Sequence, residues 1–284
     1  MKILATVGEM QRAAEDLRMS GGRRIGLVPT MGYLHDGHLS LIRVAKGNAA
    51  VVITTIFVNP TQFGPTEDFR TYPRDLVRDT RLAESAGSDI LFVPSVEEMY
   101  PDGSGTFVTV ESLTGVLEGK ARPTHFRGVT TVVAKLFNCT KPHVAVFGQK
   151  DAQQAQVIRR MVRDLNFDIE VLVAPTVREP DGLAMSSRNV YLSPEERAES
   201  TVLFQSLQLA ERLIMRGERQ CPAITAAMKN LIMTRRSAHI EYISIADATT
   251  LEEMATLKSG NAVLVSLAVR FGTTRLIDNL PLTV

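Results

Sequence analysis

The chain has 284 residues, of which 44% are hydrophobic and 22% charged, and its 32 basic and 31 acidic residues leave a formal net charge of +1. This length can bury a large core in one domain or two, and the balanced charge argues against a nucleic-acid or membrane surface, so small molecules are the expected partners. Cys139 and Cys221 lie outside any metal-ligand spacing, so no disulfide framework is expected and a cytoplasmic location fits; the apolar run Ile3-Leu4-Ala5 is too short for a signal peptide.

Thr6 and Glu9 have capping-box spacing, and Val7, Met10, Ala14 and Leu17 recur at intervals of three, four and three, which predicts an amphipathic helix ended by Gly21-Gly22. An apolar run over 25–28 reads as a strand. The turn Pro29-Thr30-Met31-Gly32-Tyr33-Leu34-His35-Asp36-Gly37-His38 follows, then a helix to about Asn48. Residues 51–58 are almost continuously β-branched or apolar, as in a strand buried on both faces of a parallel sheet. A helix over 76–86, a strand over 89–93, a helix carrying Val129, Val132, Val133, Leu136 and Phe137, a strand over 143–147, a helix over 152–165 and a strand over 169–174 continue the alternation. The pattern predicts an α/β domain over 1–176, a doubly wound parallel sheet with ligands at the carboxyl ends of its strands.

A polar link over 177–189 then leads to Ser193-Pro194-Glu195-Glu196, which opens a long helix with an N-cap, a proline at the first helical position and a glutamate three residues after the cap. A helix from about Pro222 and strands over 239–245, 262–271 and 274–277 predict a smaller α+β domain over 177–284.

The strand-to-helix turn at 29–38 aims free backbone N–H groups and the positive end of a helix dipole at one point, where an anion is favoured. His35 and His38 are three apart, so on the first helical turn they share a face and can both donate to one phosphate oxygen. Two incidental surface histidines, or a zinc site, are the other readings; the zinc reading would need a third ligand, and its histidines are usually four apart. After the next strand, Asn59 and Gln62 could orient a polar substrate, or mark only an Asn-Pro turn. Asp151 and Gln154 have capping spacing. Lys150 escapes that account, because a cation at a helix N-terminus opposes the dipole unless an anion lies between them. Ser186, Ser187 and Arg188 carry hydroxyls and a guanidinium suited to phosphate oxygens, or form a plain polar loop. The common nucleotide motifs are missing: Gly115, Gly119 and Lys120 have the wrong spacing for a P-loop, and no G-x-G-x-x-G follows a strand.

Taken together, Pro29-Thr30-Met31-Gly32 with His35-Asp36-Gly37-His38, Phe57-Val58-Asn59-Pro60-Thr61-Gln62-Phe63, Tyr72-Pro73-Arg74, Arg122-Pro123-Thr124-His125-Phe126-Arg127-Gly128, Lys150-Asp151 with Gln153-Gln154, Asp181 to Asn189 and Arg275-Leu276-Ile277-Asp278-Asn279 resemble the pantoate–β-alanine ligases, or pantothenate synthetases, over nearly the whole chain. The resemblance implies a Rossmann-like domain of the nucleotidyltransferase superfamily, a C-terminal lid domain and a homodimer. It implies that ATP, with Mg2+, activates pantoate as pantoyl adenylate, and that β-alanine then displaces AMP. A different small acid, a silent nucleotide sensor and an RNA-binding relative are the alternatives.

The same resemblance implies site residues. His38, His35 and Lys150 would be catalytic; Met31, Gly32, Gly148, Gln149, Asp151, Val177, Met185, Ser186, Ser187 and Arg188 would bind the nucleotide with them. Gln62 and Gln154 would hold pantoate, Asn59, Tyr72 and Arg122 would line the same region, and Asp79 is either a magnesium contact or simply a solvated helix acid. Gln149 departs from the family's glutamate, which removes a negative charge beside Lys150.

Overall fold

The computed structural model describes residues 1–19, 22–65 and 67–284, and separates them into two compact units: 1–149 with 153–175, and 150–152 with 176–284. Gly21 lies outside the described residues, and Gly22 takes a positive φ of 64°.

The first unit contains β1 (Lys2–Leu4), α1 (Val7–Met19), β2 (Ile25–Thr30), α2 (Asp36–Asn48), β3 (Val51–Ile56), α3 (Leu76–Ser85), β4 (Ile90–Phe92), α4 (Val96–Met99), α5 (Leu117–Ala121), α6 (His125–Thr140), β5 (Val144–Gly148), α7 (Ala152–Asp164) and β6 (Glu170–Ala174). Its six strands are parallel in the order β1-β4-β3-β2-β5-β6. Apart from β1, which adds to the outer edge of β4, the order runs outward in both directions from β2, so β2 and β5 flank the topological switch point, where ligands of open parallel sheets bind at the carboxyl ends. The apolar runs behave as strands buried on both faces: Val28, Val52, Ile53, Leu91 and Val146 have no exposure. One face of α2 closes this core with Leu39, Ile42 and Ala45, each large side chain contributing about 1.5–3 kcal/mol. Thr6 and Glu9 form the expected box, the Glu9 N–H donating to Thr6 Oγ1 at 3.3 Å and the Thr6 N–H to Glu9 Oε2 at 3.1 Å. β1 is a strand that local pattern does not reveal, because three residues carry no period; the parallel pairing of Lys2 with Ile90 creates it.

The second unit contains α8 (Pro194–Glu199), α9 (Val202–Met215), α10 (Cys221–Ile232), β7 (Ala238–Asp247), β8 (Ala262–Phe271) and β9 (Thr274–Thr283). The three strands form an antiparallel sheet in the order β7-β8-β9. Its core packs Leu203, Leu207 and Ile214 of α9 and Ile224 and Met228 of α10 with Val265, Leu267 and Val269 of β8. The helix expected to run on from Ser193 is instead two helices. Ser193 and Glu196 cap α8 reciprocally, but the Ser200 and Thr201 hydroxyls donate back to the Arg197 and Ala198 carbonyls, at 2.8 and 2.9 Å, where the helix breaks. The last strand is ten residues rather than four. β9 is an edge strand, which tolerates Pro281 because no partner needs its missing N–H.

Candidate active site

The turn after β2 carries the densest set of constraints in the first unit. Gly32 has φ +84°, and a Cβ there would lie 2.9 Å from Ile56 Cγ2 and 3.0 Å from Asp79 Oδ2, so only glycine fits. Asp79, on α3 and 1% exposed, accepts from the Tyr33 N–H at 2.6 Å and the Leu34 N–H at 2.7 Å. Burial raises its pKa against the pull of these two hydrogen bonds. Both oxygens of the candidate magnesium contact therefore hold the turn. Among the described residues no three or more His, Cys, Asp or Glu side chains converge as a metal site. That donor set does not fit a protein cage for Mg2+, which normally keeps waters and substrate phosphates as ligands.

His35 is the N-cap of α2 and His38 its third residue, with ring centroids 4.0 Å apart. The His35 backbone N–H donates to His38 Nδ1 at 3.4 Å. Nδ1 of His38 thereby acts as an acceptor within the turn. The first turn of α2 adds the helix dipole at the same place.

The loop after β3 is a single-turn 3-10 helix, Pro60–Gln62, capped by Asn59. Asn59 is 1% exposed and its amide is saturated. Nδ2 donates to Gln62 Oε1 and to the Gly128 carbonyl, both at 3.1 Å, while Oδ1 accepts from Tyr100 and from the Thr61 hydroxyl, both at 2.9 Å, and from the Thr61 N–H at 3.3 Å. Its role in this structure is to orient Gln62, whose Nε2 lies 3.2 Å from Met31 Sδ. Arg122, expected to line the same region, reaches this loop: its guanidinium donates to both Glu67 oxygens at 2.6 Å and to the Gln62 carbonyl at 3.3 Å. His125 adds a contact from Nδ1 to the same carbonyl at 2.9 Å. Its pKa falls to about 4, chiefly through burial and then through the Arg122 charge, so the ring is neutral and Nδ1–H donates. Tyr72 is buried with its ring edge-on to Phe63 at 6.0 Å. Gln62 thus emerges from a braced loop. Tyr100 and His125 are the members that sequence reading passed over; His125 lies in a quoted motif, but nothing in its spacing identifies Gln62 as its target.

Gly148 ends β5 and Gln149, Lys150 and Asp151 form a 3-10 turn leading into α7, with Gln153 and Gln154 on its first turn. The two glutamines differ. Gln153 is buried, accepts from the Glu118 N–H at 2.9 Å and donates to the Leu113 and Val116 carbonyls at 2.7 and 2.9 Å, whereas Gln154 is only partly buried. Gly119, a member of the near-miss glycine set, is a packing glycine: a Cβ would lie 2.0 Å from the Thr114 carbonyl oxygen.

In the second unit, residues 177–185 form a small hairpin. Arg178 bridges Ala184, the Met185 N–H donates to the Val177 carbonyl at 3.0 Å, and Gly182 turns with φ +95°. The hairpin delivers Met185 to a second 3-10 turn, Ser187–Tyr191, capped by Ser186, whose Oγ accepts from the Arg188 N–H at 3.2 Å. Lys150 belongs to this unit, and its carbonyl accepts from Asn279 Nδ2 at 2.8 Å.

A sequence model of the family described as pantoate-beta-alanine ligase matches residues 2–281. The pantothenate synthetase of Acetivibrio thermocellus is 56% identical over 279 residues, 98% of each chain. Among solved structures, pantothenate synthetase from Thermus thermophilus superposes with a TM-score of 0.92 at 46% identity over 99% of each chain. Pantoate-beta-alanine ligase from Francisella tularensis, described as complexed with beta-gamma ATP and beta-alanine, does so with a TM-score of 0.80 at 34% identity over 99% of this chain and 97% of that one. With the parallel sheet, the His35-His38 turn and the braced Gln62 loop in place along that whole length, the chain belongs to the pantoate-beta-alanine ligase family.

Proposed function

We propose that the protein joins pantoate to β-alanine at the expense of ATP, forming pantothenate, AMP and pyrophosphate through pantoyl adenylate. The observation that carries this reading is the His35–His38 pair at the N-terminus of α2, its rings 4.0 Å apart and at the switch point of the sheet. A pantoate carboxylate oxygen attacks the α-phosphorus of ATP, an O–P bond forms, and the bond to the bridging oxygen breaks with release of pyrophosphate. The β-alanine amine then attacks the acyl carbon; the C–O bond breaks, AMP leaves with the carboxylate oxygen, and the amine proton passes to solvent. Little covalent work falls to the protein, so rate comes from positioning and from donors aimed at developing charge.

In this reading His38 and His35 donate to the phosphoryl oxygens and departing pyrophosphate, and Lys150, Ser186, Ser187 and Arg188 hold phosphates. Met31, Gly32, Gly148, Gln149, Asp151, Val177 and Met185 line the nucleotide, and Gln62 and Gln154 grip pantoate. Asn59, Arg122 and Tyr72 act behind Gln62. Mg2+ accompanies the nucleotide phosphates, with Asp79 shaping the turn. The protein acts as a homodimer, for which light scattering should return the mass of two chains.

The test is pyrophosphate release from Mg-ATP by purified protein. Release should require pantoate, and pantothenate should appear only when β-alanine is added. Folded protein that binds ATP yet shows no pantoate-dependent release would leave the nucleotide site standing and point to a different small acid.

A further inference from the structure

The motif Arg275-Leu276-Ile277-Asp278-Asn279 belongs to the family resemblance, yet the reaction above gives it no task. Asp278 and Asn279 are adjacent in β9, 2% and 4% exposed. Successive side chains of an extended strand leave on opposite faces. Asp278 therefore shares the face of Leu276 and Leu280, which pack into the helix-covered core, and Asn279 takes the other.

On the first face, Asp278 receives a two-pronged bond from Arg178, Nη1 to Oδ2 at 2.6 Å and Nη2 to Oδ1 at 3.0 Å. The same guanidinium donates to the Gly182 carbonyl at 3.1 Å and stacks 4.0 Å over the Phe204 ring of α9. A Cβ on Gly182 would sit 2.4 Å from Phe204 Cδ1, so the hairpin tip lies directly against that ring. The hairpin ends in Met185-Ser186-Ser187-Arg188, and its base is thus clamped between β9 and α9. On the second face, Asn279 Nδ2 donates to the Lys150 carbonyl at 2.8 Å. The Asn279 N–H in turn donates to Asp278 Oδ1 at 2.8 Å, which ties the two arms together.

We infer that the Asp278-Asn279 pair is a positioning element for the adenylation half-reaction, setting the Ser186-Ser187-Arg188 loop through Arg178 and Lys150 through its carbonyl. One dipeptide thereby places both candidate phosphate-holding groups of the second unit. The inference rests on the proposed function and takes the phosphates that these groups hold to be the two that depart as pyrophosphate in the first half-reaction.

That restriction supplies the test. Asn279→Asp keeps the side-chain shape but removes the donor, Asn279→Ala removes the amide altogether, and Asp278→Asn keeps the shape but removes the charge under Arg178. Each variant is assayed for pantoate-dependent exchange of pyrophosphate into ATP and, separately, for aminolysis of supplied pantoyl adenylate by β-alanine. Exchange should fall at least about tenfold while aminolysis stays within about twofold. In cycles, Asn279→Ala should cost little further in Lys150→Ala, and Asp278→Asn little further in Ser187→Ala. Equal loss in both half-reactions, or full multiplication of the losses in the cycles, would overturn the inference in favour of a purely structural role. Wild-type protein without pantoate-dependent exchange would instead remove the function on which it rests.

Discussion

At the scale of single residues, the decisive feature is the pair of histidine rings set together on the first turn of α2. His38 Nδ1 accepts from the His35 N–H, which fixes the ring against the start of the helix. Removing a donor that acts on developing charge typically costs a factor of about 10²–10³ in kcat. His38→Ala should lower the adenylation rate by about that factor while the KM for ATP changes far less; single-turnover kinetics at saturating ATP separate the two, and a large loss of affinity with turnover preserved would reduce His38 to ground-state binding. His125 makes a second, thermodynamic prediction. Its pKa is about 4 in the folded chain against an ordinary 6.5, so the unfolded chain binds the proton more readily between those values. The stabilisation is fully present above about pH 6.5 and is lost as pH falls towards 4, by at most about 3 kcal/mol. His125→Asn, which keeps a donor near Nδ1 but cannot titrate, should flatten the acid side of a stability–pH curve; an unchanged slope would mean that the ring is not held neutral.

The candidate site residues differ in how far local sequence alone places them. His35, His38, Lys150, Gln62 and Gln154 stand where strand ends put them, because helix starts and turn glycines are local signals. Asn59 and Arg122 are polar groups in the right loops, but their bonds to Gly128 and Glu67 join residues about 55–70 positions apart, and no spacing encodes such a pairing.

At the scale of elements, the Gln62 loop is fixed by its fit against α6. A Cβ at Gly128 would lie 2.4 Å from the Thr61 carbonyl oxygen and 2.6 Å from Gln62 Cα, contacts with backbone that cannot swing aside. Gly128→Ala should therefore destabilise the protein by about 1–3 kcal/mol in urea unfolding, as overpacking does, and raise the KM for pantoate more than that for ATP. Unchanged pantoate affinity would separate the loop from the acid. Long periodic elements were legible, down to the caps at Thr6 and Ser193. Those missed were short or set by tertiary pairing: β1 exists through β4, β9 through its ladder with β8, and the break between α8 and α9 through two hydroxyls that prefer the preceding carbonyls.

At the scale of the whole molecule, the candidate site residues divide by chain segment between the unit of the six-stranded parallel sheet and that of the three-stranded antiparallel sheet. The turns at the carboxyl ends of β2 and β3 carry the histidines and Gln62; the second unit carries Lys150 and the Ser186-Ser187-Arg188 loop. Among the described residues no helix is long and apolar enough to cross a membrane. Near-neutral charge suits a protein whose partners are a nucleotide, a small hydroxy acid and an amino acid, where affinity comes from a few placed donors rather than a charged surface. Every role proposed above follows from attack of the acid on the α-phosphorus. Pantoate labelled with 18O in its carboxylate tests this directly, with ATP, Mg2+ and β-alanine supplied and the nucleotide products examined by mass spectrometry. Each AMP formed should carry one labelled oxygen; unlabelled AMP, or label in inorganic phosphate accompanied by ADP, would rule out that attack.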